Sequence, residues 1–364
     1  MKLGVLGGGQ LGRMLALAGY PLGLRFRFLD PAPESPVQEL ADLIVGRFDD
    51  LDVLERFPVG LEVITYEFEN VPIEPARHLA RQVPVFPPIA ALEVSQDRLN
   101  EKQLFQSLGM ATAPYAAVDT RDELSRAVDQ VGLPAILKTR RLGYDGKGQF
   151  WLREPHDLER AWQALGGVPL LLEGVVRFER ELSQIAVRGR DGSMVYYPLV
   201  ENHHHEGILR VSYAPAPNTA ESLTQEAQAF LHRLMEHLDY VGVLTVEFFQ
   251  QDGRLLANEM APRVHNSGHW TIEGARTSQF ENHLRAVLGW PLGPAQAVGC
   301  SAMVNWIGHV PPPAKVLQIP SAHLHLYGKT ARPGRKLGHV TLWGEEETAL
   351  RQALEQLRPL LAEG

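Results

Sequence analysis

The stretch from Asn258 to Thr271 brings Glu259, Arg263, His265 and His269 together with Asn258, Asn266, Ser267 and Thr271 within fourteen positions. Ordinary surface loops favour Lys, Glu, Ser and Gly, and cores exclude such groups unless they are paired. A segment this dense in directional donors and acceptors is explained most simply by contact with a substrate. It continues a hairpin pattern over 243–250 and 254–260 that turns at Asp252-Gly253. A two-residue turn there sets Glu247 opposite Asn258, whereas a three-residue turn that includes Arg254 sets it opposite Glu259. Opposed residues share a face with Cβ atoms about 5 Å apart, so the second register makes a pair of like charges. A divalent cation relieves such repulsion, and Mg2+ typically takes one or two carboxylates plus phosphate oxygens. The flanking Val243, Leu244, Val246, Phe248 and Phe249 are apolar, which argues against two solvated surface acids.

Two glycine-rich segments add phosphate chemistry. Gly7 to Gly12 fits G-x-G-x-x-G, follows a strand-like run and opens a helix, with Asp30 about where a ribose-binding acid falls in a dinucleotide domain. Glycines let the backbone approach a phosphate, and a helix N-terminus offers N–H groups. A tight strand-to-helix turn without a ligand has the same pattern. Three glycines also punctuate 143–149, with Lys138 just upstream. Such a flap can close over a polyphosphate through backbone N–H groups and a cation; it lacks the P-loop signature, and a plain hairpin turn is the bland reading. Glu173 to Val176 ends an apolar strand where free backbone groups could read a nucleobase edge, and Glu181 could accept from ribose hydroxyls. A hinge and an exposed acid are the alternatives. His203, His204 and His205 are contiguous and cannot all face one centre in a strand, so zinc is not expected there.

The elements that must position these groups follow two rhythms. Short apolar runs at 3–6, 25–29, 43–45 and 63–65 alternate with helical patterns at 11–18, 36–41, 51–56 and 75–81. That is βαβ order, hence a parallel sheet covered on both faces. The proline-rich stretch 84–88 reads as a boundary. A helix near 97–108 is followed by strand-like runs at 135–138, 150–152, 170–173, 182–187 and 194–200, with a helix near 155–164. A long helix over 220–238 puts Leu223, Ala227, Phe230, Leu231, Leu234 and Leu238 on one face, with Thr219 as its N-cap. Beyond 298 a strand-rich tail ends in an amphipathic helix over 346–361. The fold class is α/β followed by α+β.

Composition sets the bounds. A chain of 364 residues with 45% hydrophobic and 21% charged residues is globular and holds two or three domains. A net charge of −8 and the lack of basic runs argue against nucleic acid as a partner. A lone Cys300 excludes an internal disulfide. No membrane span and no signal peptide are expected, which makes a cytoplasmic protein the default.

These elements, in this order, resemble the ATP-grasp enzymes, and among them the family of 5-(carboxyamino)imidazole ribonucleotide synthetases. The resemblance covers nearly the whole chain. It rests on Gly7 to Met14, Glu67 to Pro72, Asp97-Arg98, 143–149, Asn258 to Thr271, and Arg332 to His339, of which the last two together are the most specific. It implies an ATP-grasp fold with a Rossmann-like parallel-sheet domain over 1–96, an ATP-grasp domain over 97–295 and a small strand-rich domain over 296–364. Arg98 and Lys138 would contact ATP phosphates under a mobile loop of Gly143, Tyr144, Asp145, Gly146, Lys147, Gly148 and Gln149. Glu173, Gly174, Val175, Val176, Glu181 and His204 would hold the nucleoside. Glu247 and Glu259 would bind Mg2+, or Mn2+, with Asn258 beside them; Ala261 stands where many ATP-grasp enzymes carry a further metal-ligating Asn. Tyr144, Asp145, Arg263, His265, Asn266 and Ser267 would surround bicarbonate and 5-aminoimidazole ribonucleotide, with Asp145 or His265 handling the amine proton. Lys329, Arg335 and the backbone around Gln10 would reach the ribotide phosphate, and Glu67 the amine or its ribose. A homodimer is implied as well. Two rival readings are a formate-dependent glycinamide ribonucleotide formyltransferase and, from Gly7 to Gly12 alone, an NAD-dependent oxidoreductase.

Overall fold

The computed structural model describes residues 1–143 and 147–361. The first segment is a parallel sheet in the order Asp42–Val45, Arg25–Asp30, Lys2–Leu6, Val63–Tyr66. Val5, Phe28 and Ile64 are fully buried, as strands covered on both faces require. Helix Gln10–Gly19 leaves the first strand through the glycine-rich turn, and the strand order reverses between Lys2–Leu6 and Val63–Tyr66. A crevice at the carboxyl ends of those two strands is where ligands of open α/β sheets sit.

The helix expected over 36–41 does not form. Residues 36–40 are turns, with Gln38 N–H bonded to Ser35 O and Leu40 N–H to Val37 O, and Val37 alone fully buried. Six residues need a strong cap to offset helix nucleation, as Asp50 supplies for Leu51–Arg56 through Asp52 N–H and Val53 N–H, whereas Ser35 gives its hydroxyl proton to Gly8 O. Three helices of seven residues or more that the sequence reading lacks are present: Ile89–Ser95, Arg121–Val131 and Gln279–Leu288. The last two did carry a signal. Thr120 and Glu123 close a reciprocal capping box, and Ser278 accepts from Glu281 N–H.

A small antiparallel sheet, Tyr115–Val118, Leu170–Gly174, Ala135–Thr139, Gln149–Leu152, packs Val118, Leu137, Leu152 and Leu172 against helices Arg121–Val131 and Asp157–Leu165. The run expected at 194–200 divides into strands Met194–Tyr196 and Val200–His205. Nine strands then form one sheet. Its path runs Arg254–Ala261, Gly242–Gln251, Arg180–Arg188, Val200–His205, Ile208–Ala214, Cys300–Ile307, Lys336–Gly344, Ala322–Leu326, with Met194–Tyr196 beside Arg180–Arg188.

One face of this sheet buries Leu182, Leu244, Val246 and Phe248 against helix Glu221–His237, which contributes Leu223, Ala227, Phe230, Leu231 and Leu234. Its N-cap is Ala220; Thr219, the expected cap, turns its hydroxyl back to Ala216 O. The opposite face buries Ile185, Val187 and Val243 in a second core at one end and is polar toward the other. Register places Glu259 beside Glu247 beside Ser183, then Asn202 beside Ser212, and Asn305 beside His339 beside His325. Helix Glu347–Leu361 covers the far end with Leu350, Ala353 and Leu357. Among the described residues no helix is long and apolar enough to cross a membrane.

Candidate active site

The carboxylate pair depends on a bulge. Asp252 and Gly253 both have positive φ, 50° and 71°, and Gln251 pairs with Arg254, so the hairpin has a two-residue turn. Counted from that turn, Glu247 belongs opposite Asn258. The ladder instead shifts between Glu247 and Phe248: Phe248 pairs with Ala257, Glu247 with Glu259, and Asn258 is the extra residue. Bulges of this kind re-aim side chains beside active sites. The expected turn and the expected carboxylate pairing thus both occur, joined by a feature that neither register contained.

Burial pushes the Glu247 carboxyl up to about 7, and the neighbouring Glu259 charge adds to the rise. Arg98 Nη1 lies 3.1 Å from Glu259 Oε2. Behind the pair, Glu101 accepts Met260 N–H at 2.7 Å; burial first and Glu259 second push it up to about 8. A buried carboxyl that a facing carboxylate helps to keep protonated marks a site short of positive charge, which fits a divalent cation. Among the described residues no group of three His, Cys, Asp or Glu forms a ready-made cage.

Next to the carboxylate pair lies a cluster of paired cations. Glu173, 3% exposed, is reached by Lys138 Nζ at 3.1 Å and Lys102 Nζ at 3.3 Å. Lys102 itself is 1% exposed and comes from helix Arg98–Ser107. Two ammonium groups on one buried carboxylate leave a net positive charge beside the flap. Desolvation draws Lys138 below the usual lysine value even though Glu173 opposes the shift. Arg98 Nη2 holds Gly143 O at 3.4 Å, and Gly148 O accepts Thr139 N–H at 2.8 Å, so both ends of the flap are tied down. Tyr144, Asp145 and Gly146 lie outside the described residues; Lys147, Gly148 and Gln149 follow them into strand Gln149–Leu152.

The backbone N–H groups of Gly174 and Val175 are not free for a nucleobase. They donate to Pro114 O at 2.8 Å and Pro134 O at 3.2 Å, because this segment bridges two loops; Val176 follows, half-buried. Of the three histidines, His204 turns inward and bonds Glu181 Oε2 at 2.8 Å, while His203 pairs with Glu201 at 2.9 Å on the exposed side. A register shift between His203 and His204 separates their directions. Burial opposes a charged His204, but the Glu181 bond and the charges of Glu247, Glu181 and Glu259 together outweigh it and raise its pKa.

In the polar run, Arg263 Nε bonds Glu69 Oε2 and its Nη1 donates to Val264 O at 3.1 Å. His265 Nε2 lies 3.5 Å from Glu247 Oε1, joining the run to the carboxylate pair. Burial first and Arg263 second hold His265 well below its ordinary pKa, so the ring is neutral. Asn266 and Asn305 exchange amide bonds of 3.1 and 2.7 Å. Ser267 is fully buried behind His265 and does not line the cleft. His269, Trp270 and Thr271 are buried as well and brace the segment.

At the glycine-rich turn the anion is internal. Glu67 Oε1 accepts Gly9 N–H at 2.7 Å and its Oε2 accepts Gly12 N–H at 2.9 Å, while Asp30 takes Gly8 N–H at 2.7 Å. A Cβ on Gly9 would lie 2.5 Å from Glu67 Oε1, so glycine is needed there for close approach. Asp30 is thus a turn ligand. Gln10 Oε1 accepts from Lys329 Nζ, tying the first helix to the loop after Ala322–Leu326. Burial, then the nearby Arg335, lowers Lys329 to about 8; Arg335 braces the same loop through Thr330 O at 3.1 Å.

Glu69, Glu101 and Lys102 were not singled out from sequence. Glu69 lay within a quoted motif and was within reach, whereas Glu101 and Lys102 look like ordinary polar positions of a surface helix.

Known proteins carry the same three parts. Residues 1–96 match the ribonucleotide synthetase preATP-grasp domain, 103–280 the ATP-grasp domain, and 301–353 the phosphoribosylaminoimidazole carboxylase C-terminal domain. The N5-carboxyaminoimidazole ribonucleotide synthase of Pseudomonas aeruginosa is 50% identical over 361 residues, 99% of each chain. A crystal structure of N5-carboxyaminoimidazole ribonucleotide synthetase from Thermus thermophilus superposes with a TM-score of 0.95 at 58% identity, covering 98% of both chains. The N5-carboxyaminoimidazole synthase of Aspergillus clavatus, solved with ADP and 5-aminoimidazole ribonucleotide, gives a TM-score of 0.90 at 34% identity over 99% of this chain and 97% of its own.

Proposed function

The chain belongs to the N5-carboxyaminoimidazole ribonucleotide synthase family, and from that membership we propose how its residues divide the ATP-dependent carboxylation of 5-aminoimidazole ribonucleotide. The reaction is a ligase step of purine biosynthesis, giving N5-carboxyaminoimidazole ribonucleotide, ADP and phosphate. Formyl transfer and NAD-dependent redox chemistry are not favoured. For the latter, the N–H groups a dinucleotide would need are already taken by Glu67 and Asp30.

In this reading Arg98, Lys138 and the flap over 143–149 hold the triphosphate, and Glu173 to Val176, Glu181 and His204 hold the nucleoside, through groups other than the Gly174 and Val175 N–H. Glu247 and Glu259, with Asn258 alongside, hold Mg2+ or Mn2+. When bound, such an ion neutralises phosphate charge during phosphoryl transfer, which depends on positioning and electrostatics more than on covalent help. Arg263, fixed by Glu69, presents its planar fork to bicarbonate as ATP phosphorylates it to carboxyphosphate. Carboxyphosphate, or CO2 released from it, meets the exocyclic amine beside His265 and Asn266, with Tyr144 and Asp145 closing from the flap to exclude water. Gln10, Lys329 and Arg335 take the ribotide phosphate, and Ser267 and Glu67 shape the site from behind. The enzyme works as a cytoplasmic homodimer, with segments 1–96, 97–295 and 296–364 as its domains.

The single observation that carries the residue assignment is the Glu247–Glu259 pair, set face to face beside the Lys138–Glu173–Lys102 cluster. ADP release should require bicarbonate and the ribotide together; release indifferent to both would refute the reading. Glu259→Gln should abolish turnover with the melting temperature kept, and unchanged activity would remove the metal assignment. Sedimentation analysis checks the dimer.

A further inference from the structure

Ser212, Asn202, Ser183 and Ser267 run in single file beneath His265, all buried. Ser212 Oγ donates to Asn202 Oδ1 at 2.7 Å, Asn202 Nδ2 donates to Ser183 Oγ at 3.0 Å, and Ser183 Oγ donates to Ser267 Oγ at 2.8 Å. Each hydroxyl owns one proton. Ser267, having accepted from Ser183, therefore donates its own to His265 Nδ1, 2.9 Å away. The Ser267 backbone N–H points at the same nitrogen from 3.3 Å, and a backbone N–H can only donate. Nδ1 is an acceptor on both counts, so the proton of the neutral ring sits on Nε2, the atom that faces Glu247 at 3.5 Å. Gln279 pins the backbone of the same residue, accepting His265 N–H at 3.0 Å and donating to His265 O at 2.6 Å.

We propose that His265 acts as a fixed N–H donor at the carboxylation centre, not as the base for the amine proton, and that Ser183, Asn202 and Ser212 are positioning residues that hold it in that form. The proposal rests on the carboxylase reading above. A general base must turn a lone pair toward the proton it removes. The lone pair of His265 points inward at Ser267, and the side turned to the cleft carries N–H. A donor held beside Glu247 suits an oxyanion, such as bicarbonate or the carboxylate being transferred. The amide in the middle of the file gives it a direction. A chain of hydroxyls alone can reverse by rotating its protons, but the donor and acceptor ends of Asn202 are chemically distinct. Reversing the file would require that buried amide to turn over, and it would set an Nδ1 proton against the Ser267 backbone N–H, which can only donate.

Nitrogen-15 NMR of enzyme labelled at histidine, with His265 assigned by its loss in His265→Gln, should show the Nε2–H tautomer; an Nδ1–H pattern overturns the proposal. That readout needs no turnover, so it is separate from ribotide-dependent ADP release, which tests the carboxylase reading itself. His265→Gln places an amide donor near the Nε2 position and should keep kcat within about tenfold of wild type, while His265→Ala should lose roughly 10²–10³-fold. Equal collapse of the two variants overturns the donor role. Ser183→Cys is close in volume but a weak donor; it should lower kcat several-fold with KM for ATP unchanged and bring in the second tautomer. Ser212→Ala should do the same from the far end of the file, so the test survives if either variant fails to fold. A single unchanged tautomer with unchanged kcat in the folded variant overturns the positioning role.

Discussion

Glu101 projects from helix Arg98–Ser107 toward the strand that carries Glu259, where it accepts Met260 N–H. Its ordinary pKa is 4.5, and the folded environment raises it to about 8, burial first and Glu259 second. Between those two values the native state holds a proton that the unfolded chain has released. Stability contributed by this group is therefore present at low pH and lost as pH rises toward 8. Glu101→Gln keeps an acceptor for Met260 and cannot ionise. It should raise the stability of the ligand-free protein at pH 8.5 by about 1–3 kcal/mol and leave it unchanged near pH 4.5, as melting curves at the two values would show. Lys329 shifts the other way. Its folded pKa is lowered to about 8 by burial, so it loses charge as pH rises through that value. KM for the ribotide should then climb about tenfold per pH unit above 8 with kcat steady; a flat KM to pH 9.5 would separate Lys329 from the phosphate. Glu259, Arg263 and His265 were legible because their types are improbable together in a short segment. Glu101 and Lys102 were not, because only docking of their helix on strand Arg254–Ala261 makes them buried charges.

At the scale of elements, the bulge at Asn258 decides what the hairpin can do. Removing Asn258 would leave Phe248 opposite Ala257 and Glu247 opposite Glu259, so the ladder would close without any change of register on either side. Deletion of Asn258 should therefore preserve the melting temperature within a few degrees while kcat/KM falls by roughly 10²-fold, because the carboxamide is gone and its neighbours are re-aimed. Loss of folding would show the bulge to be structural. Period alone made the long helix legible: Leu223, Ala227, Phe230, Leu231 and Leu234 repeat at helical spacing and all five are buried. Periodicity failed where an element is too short to display it, as over 36–41, and where a cap rather than an apolar stripe marks the start, as at Thr120 and Ser278. The bulge had no sequence signature, since hairpin counting assumes an unbroken ladder.

Across the whole molecule, one sheet joins the hairpin of the carboxylate pair to the strands beyond residue 296, which a reading from sequence treats as a separate tail. Ending the chain at 296 would strip Cys300–Ile307, Lys336–Gly344 and Ala322–Leu326 from that sheet. Ile208–Ala214 would become a bare edge, and Val211 and Tyr213 would lose their packing. The truncated chain should aggregate rather than persist as a soluble ATP-binding fragment, as size-exclusion chromatography would show. Sequence order cannot reveal such continuity, because strand Ile208–Ala214 pairs with a strand more than eighty residues later. The internal anion at the glycine-rich turn has a consequence in time. Gly12 and Glu67 are 55 positions apart, and Gln10 and Lys329 are 319 apart. During synthesis the turn's N–H groups leave the ribosome long before their carboxylate and face water until strand Val63–Tyr66 docks. The first segment can then close upon itself while the rest is still being made, and the Gln10–Lys329 contact forms only when nearly the last strand has arrived.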